Sequence, residues 1–362
     1  MKKPIDLSLK ERNRLKERNR LEKNRKKLKN GEKKKRYVER QNPYNKKSRK
    51  PLSNIDLPET FNLHTHADEI LEIMGKFRTI LDKLTPRLKN LNFDNIKSIN
   101  PSSALMLAAE IDVWNIKTEQ NLSAKHTTWD NNIKHLLWEM GFFELLGIPP
   151  LEGLQKPDKN TTFLKFISGA KSEGSKAKEL RENIERVLGT QLENKLHLFE
   201  GLSEAFTNTT QHAYEGNNIN TNKWWITSAY KKDEKKLIVS MYDRGKSIPT
   251  TMHTDNKWWF VKERARKSHN QLLEIAMRAS FDNEGKTRTQ TQKSNRGKGL
   301  KQLLEFIKDR GRLTIISNKG YCAFELKNDK LSILEQKELK YPLNGTLIEW
   351  DIDLLEIQQE EL

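Results

Sequence analysis

The chain has 362 residues, of which 67 are Lys or Arg and 49 are Asp or Glu, so its formal net charge is +18, and it has a single cysteine. One cysteine excludes an internal disulfide, and the longest apolar stretch, near residues 104–111, is too short to span a membrane. No apolar signal segment follows the charged N-terminus, so we expect a cytoplasmic protein with room for two hydrophobic cores and no membrane partner.

Most of the positive charge lies at the N-terminus. Residues 1–50 contain 22 Lys and Arg and 6 Asp and Glu, a net charge of +16, which leaves +2 for the rest of the chain. The sequence Leu-Lys-Glu-Arg-Asn-Arg at 9–14 is repeated at 15–20. Its six-residue period turns successive leucines by about 120° on a helix, so no coiled-coil seam forms. We therefore predict that residues 1–60 form a disordered or helical basic arm that binds a polyanion.

Nucleic acid is the polyanion that this arm favours. Aromatic residues that could stack on bases are limited to Tyr37 and Tyr44, so we expect phosphate contacts and nonspecific, salt-sensitive binding to DNA or RNA. A solvated tail, a ribosome-like role and a membrane surface are the alternatives, the last without an apolar inserting face. The candidate contact residues are Arg12, Arg14, Arg18, Arg20, Arg25, Lys26 and Lys27.

Residues 61–155 are predicted to form a compact α/β unit. A strand over 91–96 leads to a turn at 100–103 (Asn-Pro-Ser-Ser) and an apolar helix, and a second helix ends at Gly141. The strand, the serine-containing turn and the helix, with the later 141–146 (Gly-Phe-Phe-Glu-Leu-Leu), resemble the STAS domain of anti-sigma-factor antagonists.

The serines of this turn have two interpretations. In the STAS family a serine here accepts phosphate from a kinase, so the resemblance makes Ser102 or Ser103 a possible phosphosite. The family's usual Asp-Ser-Ser-Gly pattern reads Asn-Pro-Ser-Ser in this chain. Capping of the following helix explains both serines without chemistry. Upstream, His64, His66 and Asp68 alternate as metal ligands could, although the pattern arises easily by chance and no fourth ligand is evident.

Three later segments combine into one candidate site, and the first of them is a helix. Glu204 and Asn208 are four residues apart and share one helix face, where a carboxylate and an amide could hold a metal-nucleotide. A solvated helix surface is the alternative. The pair lies well away from an apolar stripe formed by Leu198, Leu202, Ala205, Phe206, Thr209 and Ala213.

The second segment is a buried strand over residues 236–243. It ends abruptly at Asp243-Arg-Gly245. A carboxylate at a strand end can accept a hydrogen bond from an exocyclic amine, and Gly245 lets a flat ring approach the backbone. Adenine has both features, and an ordinary turn is the alternative.

The third segment is 295–300 (Asn-Arg-Gly-Lys-Gly-Leu), which opens a predicted helix. The amides and the dipole at a helix start suit phosphate oxygens, Gly297 and Gly299 permit a close approach, and Lys298 adds charge. The segment matches neither a P-loop nor a Rossmann fingerprint, and a flexible hinge is the alternative.

In order and spacing, these segments resemble the GHKL ATPases, which include gyrase B subunits, heat-shock chaperone ATPases, histidine kinases and anti-sigma-factor kinases. Residues 203–214 are most similar to the first box of the anti-sigma-factor kinases. The resemblance implies a Bergerat-type α/β sandwich with a mixed sheet over residues 160–362. It assigns Glu204 as general base and Asn208 as the Mg²⁺ ligand. The further ATP contacts it implies are His212, Asp243, Gly245, Gly297, Lys298, Gly299 and Thr346.

Two other features enter through the same resemblance. Residues 250–296 correspond to the ATP lid, and 287–294 has too few apolar groups to pack firmly, so we predict mobility there; a disordered insertion is the alternative. The stretch 344–352 is similar to the closing Gly-Thr strand of the family. One position departs from the family pattern, since the second glycine of Asp-x-Gly-x-Gly is Ser247 here.

Three functions follow as hypotheses. The first is a Mg-dependent ATPase that acts as a nucleotide-driven regulatory switch, with a protein partner or a second copy of the chain responding to lid closure. The second is a serine/threonine protein kinase of the anti-sigma-factor type, in which Glu204 activates a protein hydroxyl. The third is a nucleic-acid-binding regulatory or effector subunit with structural ATP. By analogy, a STAS-like part joined to an ATPase suits bacterial signalling or antiviral defence.

Overall fold

The computed structural model describes residues 22–23, 26–27, 53–151, 153, 160–170, 174–192, 195–209, 223–251, 266–282 and 299–354. The chain divides into two units, Met1–Leu52 and Ser53–Leu362. In the first unit the described residues, Glu22, Lys23, Lys26 and Lys27, are helical and exposed. The other candidate arm contacts, Arg12, Arg14, Arg18, Arg20 and Arg25, lie outside the described residues.

The second unit is an α/β structure, as the sequence predicts. Its strands are β1 (Ser53–Asp56), β2 (Thr60–Phe61), β3 (Leu88–Asn92), β4 (Ser98–Ile99), β5 (Thr161–Phe163), β6 (Ile167–Gly169), β7 (Trp224–Lys231), β8 (Lys236–Asp243), β9 (Gly311–Lys327) and β10 (Lys330–Asp353). Its helices are α1 (Ala67–Leu81), α2 (Pro101–Thr118), α3 (Asn131–Met140), α4 (Phe142–Leu146), α5 (Gly174–Leu188), α6 (Lys195–Asn208), α7 (Ile248–Thr251), α8 (His269–Asp282) and α9 (Gly299–Glu305), with a short 3₁₀ turn at His126–Thr128.

One large sheet forms the centre of this unit. Its strand order is β5-β7-β8-β10-β9, with β6 also paired to β7. Every pair in it is antiparallel over the strands that the structure describes, so the expectation of a mixed sheet is wrong for them. For two of the pairs the physical reason is the connection, because β7 and β8, and likewise β9 and β10, are joined by turns too short for a parallel crossover. Parallel pairing occurs in the small sheets β1–β3 and β2–β4.

Side chains of the large sheet alternate between two hydrophobic cores. On one face Trp225, Tyr242 and Leu347 pack in the same core as the apolar residues of α1 and α2. On the other face Met241 and Ile348 share a core with α5, α6, α8 and α9. Residues before and after the predicted boundary near 155–160 therefore pack together in one core on the same face of the sheet. The division into separate domains stays a prediction.

Helix boundaries follow local capping. Asp130 caps α3 by accepting from the amide of Ile133 at 3.3 Å, and Gly141 ends the helix with a left-handed φ of 97°. Asn100 caps α2 by accepting from the amide of Ser103 at 3.1 Å. The predicted strand over 91–96 is displaced toward the N-terminus, because β3 ends at Asn92. No helix among the described stretches is both long and apolar enough to cross a membrane.

Candidate functional site

A row of four side chains crosses the large sheet at the end of β8. Trp224 is paired with Asp243, Asp243 with Thr346, and Thr346 with Ser317. By the alternation of each strand, all four lie on the face that packs against α5, α6, α8 and α9. Ser317 was missed by sequence reasoning, although the apolar alternation of β9 would have placed it on this face.

Asp243 is a buried acid with few interactions that offset the cost of burying its charge. Its side chain is 7% exposed, and Oδ1 accepts a hydrogen bond from the amide of Gly245 at 2.7 Å. Burial raises the pKa of Asp243 to about 7, and the hydrogen bond from Gly245 offsets only part of that rise. Strongly shifted acids of this kind are concentrated at functional sites, because folding alone gains nothing from them.

The backbone around Asp243 is packed so closely that a glycine is required beside it. Gly345 has φ +107°, and a Cβ added there would collide with the carbonyl oxygen of Asp243. The next residue, Thr346, has its Oγ1 2.9 Å from Oγ of Ser317. Ser317 also accepts from the amide of Ile248 at 2.9 Å, which joins the start of α7 to the row.

Ser247, which replaces the glycine of the family pattern, is also buried. Its Oγ lies 3.0 Å from Oγ1 of Thr250, and its carbonyl oxygen accepts from the amide of Thr250 at 3.0 Å. The Ser247 hydroxyl therefore bonds within the first turn of α7, which glycine could not do because it has no hydroxyl.

The helix α6 carries the predicted pair Glu204 and Asn208. The Asn208 amide donates a hydrogen bond to the Glu204 carboxylate, which confirms that the two side chains share one face. Burial raises the pKa of Glu204, and the bond from Asn208 counteracts part of the rise. Five residues of the predicted apolar stripe are buried, namely Leu198, Leu202, Ala205, Phe206 and Thr209, and Ala213 lies outside the described residues.

Phe206 connects this helix to the row on the sheet. Its ring stacks on Trp224 with 4.1 Å between centroids and 22° between planes. Since Trp224 is the strand partner of Asp243, the stacked pair sets the position of α6 relative to the acid. Glu204 and Asn208 are two residues before and after Phe206 on the same helix, so they lie on a different face from its ring.

The predicted glycine-rich segment is described only in part. Gly299 is the first residue of α9, whereas Gly297 and Lys298, like His212 of the first box, lie outside the described residues. Helix α9 crosses α6 closely at Gly201, where an added Cβ would lie 3.4 Å from the carbonyl oxygen of Gln302. The two helices named by sequence reasoning are thus neighbours.

The predicted Mg²⁺ ligand, Asn208, can offer one side-chain oxygen. In nucleotide sites Mg²⁺ takes one or two protein oxygens and obtains its other ligands from phosphates and water. The bond between Asn208 and Glu204 uses the amide nitrogen, and Oδ1 is the atom that would bind a cation. Among the described residues, no group of three or more His, Cys, Asp or Glu could hold a metal.

Ser102 and Ser103 are fully buried at the start of α2. The Ser103 Oγ accepts from the amide of Leu63 at 2.9 Å, and the Ser102 Oγ accepts from Nδ2 of Asn100 at 2.9 Å. The Ser102 hydroxyl also donates to Glu349. Neither hydroxyl is accessible in this conformation, so phosphorylation would require the start of α2 to leave the sheet.

A cavity of about 310 Å³ lies on the opposite face of the sheet, between the N-terminal half and strands β7 and β10. His64 and Glu349 in its lining are paired with each other, and Lys231 and Asp351 are paired with Glu234 and Lys236 outside the lining. Nε2 of His64 lies 2.6 Å from the carboxylate of Glu349, and Nδ1 lies 3.0 Å from the hydroxyl of Tyr321. Asp68, the third residue of the alternating His-His-Asp pattern, accepts from the amide of Lys340 at 2.7 Å. The cavity is therefore a poorer candidate than the row at Asp243.

The sequence matches no protein-family model and no curated protein, so any function assigned to it rests on the residues and the geometry described above.

Proposed function

We propose that this protein binds Mg-ATP in a GHKL-type site and hydrolyses it as a nucleotide-driven regulatory switch. In this proposal the large sheet and its helices form a Bergerat-type sandwich, and the N-terminal half is STAS-like. The observation that carries it is the buried carboxylate of Asp243, set between Trp224 and Thr346 at the end of an otherwise apolar strand. Folding does not need an acid there, whereas adenine recognition does.

Asp243 supports the adenine end of the site. In its ionised form it accepts a hydrogen bond from the exocyclic amine of adenine, and guanine presents a carbonyl at the corresponding position. The hydroxyls of Thr346 and Ser317, 2.9 Å apart and next in the row, can bond a ring nitrogen directly or through a water. Gly245 leaves the ring room beside the turn.

Glu204 and Asn208 support the phosphate end. Asn208 would contribute one oxygen to Mg²⁺, which supplies charge neutralisation to the phosphates when bound. Glu204 takes a proton from water as the water oxygen bonds to the γ-phosphorus and the bond to the β–γ bridging oxygen breaks, releasing ADP and phosphate. Its raised pKa makes it a stronger proton acceptor than an exposed glutamate. The resemblance adds His212, Gly297, Lys298 and Gly299.

Phosphoryl transfer to a serine or threonine of a partner protein is the second candidate function. The same carboxylate can activate a protein hydroxyl in place of water. The burial of Ser102 and Ser103 favours an acceptor on another molecule over one in this chain. A role for the basic arm in nonspecific DNA or RNA binding is compatible with either reaction, because the arm and the site use separate residues.

Calorimetry with Mg-ATP tests the proposal. Asp243→Asn should weaken ATP binding by about 30-fold, because a charge-assisted hydrogen bond is lost. Asp351→Asn is the control: it removes a part-buried acid from the same sheet, on the opposite face, and should leave ATP affinity unchanged. Asn208→Ala should abolish the Mg²⁺ dependence of binding.

Two results would reject the nucleotide assignment: wild-type protein that binds no adenine nucleotide, or Asp243→Asn protein that binds as tightly as wild type. The fate of γ-labelled ATP then separates the reactions. Label in free phosphate identifies hydrolysis, label on protein identifies a kinase, and unreacted ATP identifies structural binding.

A further inference from the structure

A buried charge cluster lies directly behind the candidate site, on the other face of the sheet. Glu110 of α2 is fully buried, and its Oε1 accepts a hydrogen bond from Nε of Arg78 in α1 at 2.8 Å. The same oxygen lies 3.2 Å from Nε of Arg244, the residue that follows Asp243. Burial alone would raise the pKa of Glu110, but the attraction of Arg244 and Arg78 holds that pKa below its ordinary value. The carboxylate is therefore ionised and held by two guanidinium groups.

Tyr242 joins this cluster to both chain segments that carry the site. Its hydroxyl accepts from Nη2 of Arg78 at 2.8 Å and donates to the carbonyl oxygen of Asn344 at 2.9 Å. Tyr242 directly precedes Asp243, and Asn344 directly precedes Gly345, which packs against the Asp243 backbone. One set of contacts thus restrains both Tyr242, which precedes the acid in the chain, and the segment 344–345, which packs against the acid.

A second carboxylate on α2 holds the next strand. Asp112 accepts from Nζ of Lys223 at 2.6 Å and from Nε1 of Trp225 at 2.9 Å. These two residues flank Trp224, the strand partner of Asp243. Helix α2 therefore fastens the ends of β7 and β8 at the level of the candidate site.

The charge of Glu110 makes this attachment specific. A buried carboxylate that loses a cationic partner keeps its full desolvation cost, so separation of Arg244 from Glu110 is strongly opposed. Asp243 and Gly245 are the immediate neighbours of Arg244 and share its restraint. An apolar contact would slide more easily, because dispersion and burial have little directional preference.

We infer that Glu110 is a positioning residue for the site at Asp243. Through Arg244 and Tyr242 it fixes the turn 243–245, and helices α1 and α2 thereby control how well that turn receives a ligand. For nucleotide affinity this inference rests on the proposed function. The restraint of the turn itself does not depend on any nucleotide.

The test uses full-length protein with Glu110→Gln, which keeps the side-chain size and removes the charge. Glu139→Gln is the matched control, because Glu139 is a part-buried carboxylate that accepts from the amide of Phe163 at 3.0 Å, away from the site. In nucleotide-free protein, hydrogen exchange of the peptide that contains residues 243–245 should accelerate in Glu110→Gln and stay unchanged in Glu139→Gln. ATP affinity should fall about tenfold in Glu110→Gln alone.

Arg244 variants separate positioning from a general loss of structure. Arg244→Gln leaves Glu110 paired with Arg78, so it provides a folded alternative if Glu110→Gln unfolds. It should reproduce the faster exchange, and Arg244→Lys, which keeps the charge, should restore part of the protection. Exchange at 243–245 that matches wild type in folded Glu110→Gln and Arg244→Gln protein would overturn the inference. Wild-type protein that binds no ATP would reject the proposed function, and the exchange result would still decide the role of Glu110.

Discussion

Phe206 stacks on Trp224 at 4.1 Å between ring centroids, and this one contact joins the helix of Glu204 to the strand partner of Asp243. Both rings are almost completely buried. The stacked pair therefore holds α6 against the strand that is paired with Asp243. Its geometry sets how far the proposed general base stands from the proposed adenine contact.

Phe206→Ala should destabilise the protein by about 3–5 kcal/mol, because it removes a buried ring and leaves a cavity against Trp224. Catalytic turnover should fall more than ATP affinity, since α6 loses its register against the sheet. Thermal unfolding and single-turnover hydrolysis measure the two effects. Phe199→Ala on the same helix is the control, because Phe199 is 43% exposed and should cost little.

ATP affinity should rise with pH through neutrality. The folded protein holds Asp243 with a pKa of about 7, and the proposed hydrogen bond requires the ionised form. Binding should weaken about tenfold for each pH unit below 7 and level off above it. Calorimetry between pH 5.5 and pH 8.5 covers this range in about half-unit steps. An affinity that instead increases toward low pH would mean that the protonated acid is the binding form.

The same acid should make the free protein less stable as pH rises. In the unfolded chain Asp243 ionises near 3.8, whereas in the folded protein it stays protonated up to about 7. The folded state therefore binds the extra proton, so the contribution of Asp243 to stability declines between these two pH values and is constant above them. Asp243→Asn should remove this decline. Denaturant unfolding curves at pH 5 and pH 8 measure the difference.

Glu204→Gln should retain ATP binding and lose turnover by about 10²–10⁴-fold, the usual contribution of a general base. Glutamine preserves the hydrogen-bonding shape of the side chain but cannot accept the proton of water. Glu200→Gln, one turn earlier on α6, is the control. Full hydrolysis by Glu204→Gln protein would remove Glu204 from the mechanism.

His64→Gln should destabilise the protein most between about pH 5 and pH 6. The hydrogen bond and charge of Glu349 raise the pKa of His64 above 6.5 despite its burial, and His64 lowers the pKa of Glu349 below 4.5. The pair is fully charged between these values, and its contribution fades as pH rises through the raised pKa of His64. We expect a loss of roughly 1–3 kcal/mol in that window and less at pH 9. The exposed His66→Gln is the control, and an equal loss at both pH values would contradict the ion pair.

Deletion of residues 1–50 should leave ATP affinity unchanged and weaken DNA or RNA binding. The arm carries +16 of the net charge of +18, so its loss should also flatten the dependence of binding on salt. Gel shifts at matched ionic strength, with parent and truncated protein side by side, make the comparison. Nucleic-acid binding that survives the deletion would place the contact elsewhere.

Local sequence signals specified many of the elements. The cap at Asp130 and the stop at Gly141 marked the ends of α3, and the apolar run after Lys236 marked β8, because caps, glycines and side-chain periodicity act over a few residues. The same local rules placed Glu204 and Asn208 on one helix face. They failed for the beginning of α2, where Pro101 opens the helix earlier than the apolar pattern indicated.

The sequence by itself determined the hydrophobic periodicity of each segment and the chemical type of the residues at its ends. Only the tertiary structure decided the antiparallel order of the sheet, the alignment of Asp243 with Thr346 and Ser317, and the contact of Glu110 with Arg244. Asp243 and Thr346 are 103 positions apart in the chain, and Glu110 and Arg244 are 134 positions apart. The free energy of these pairings depends on mutual burial, which no local pattern contains.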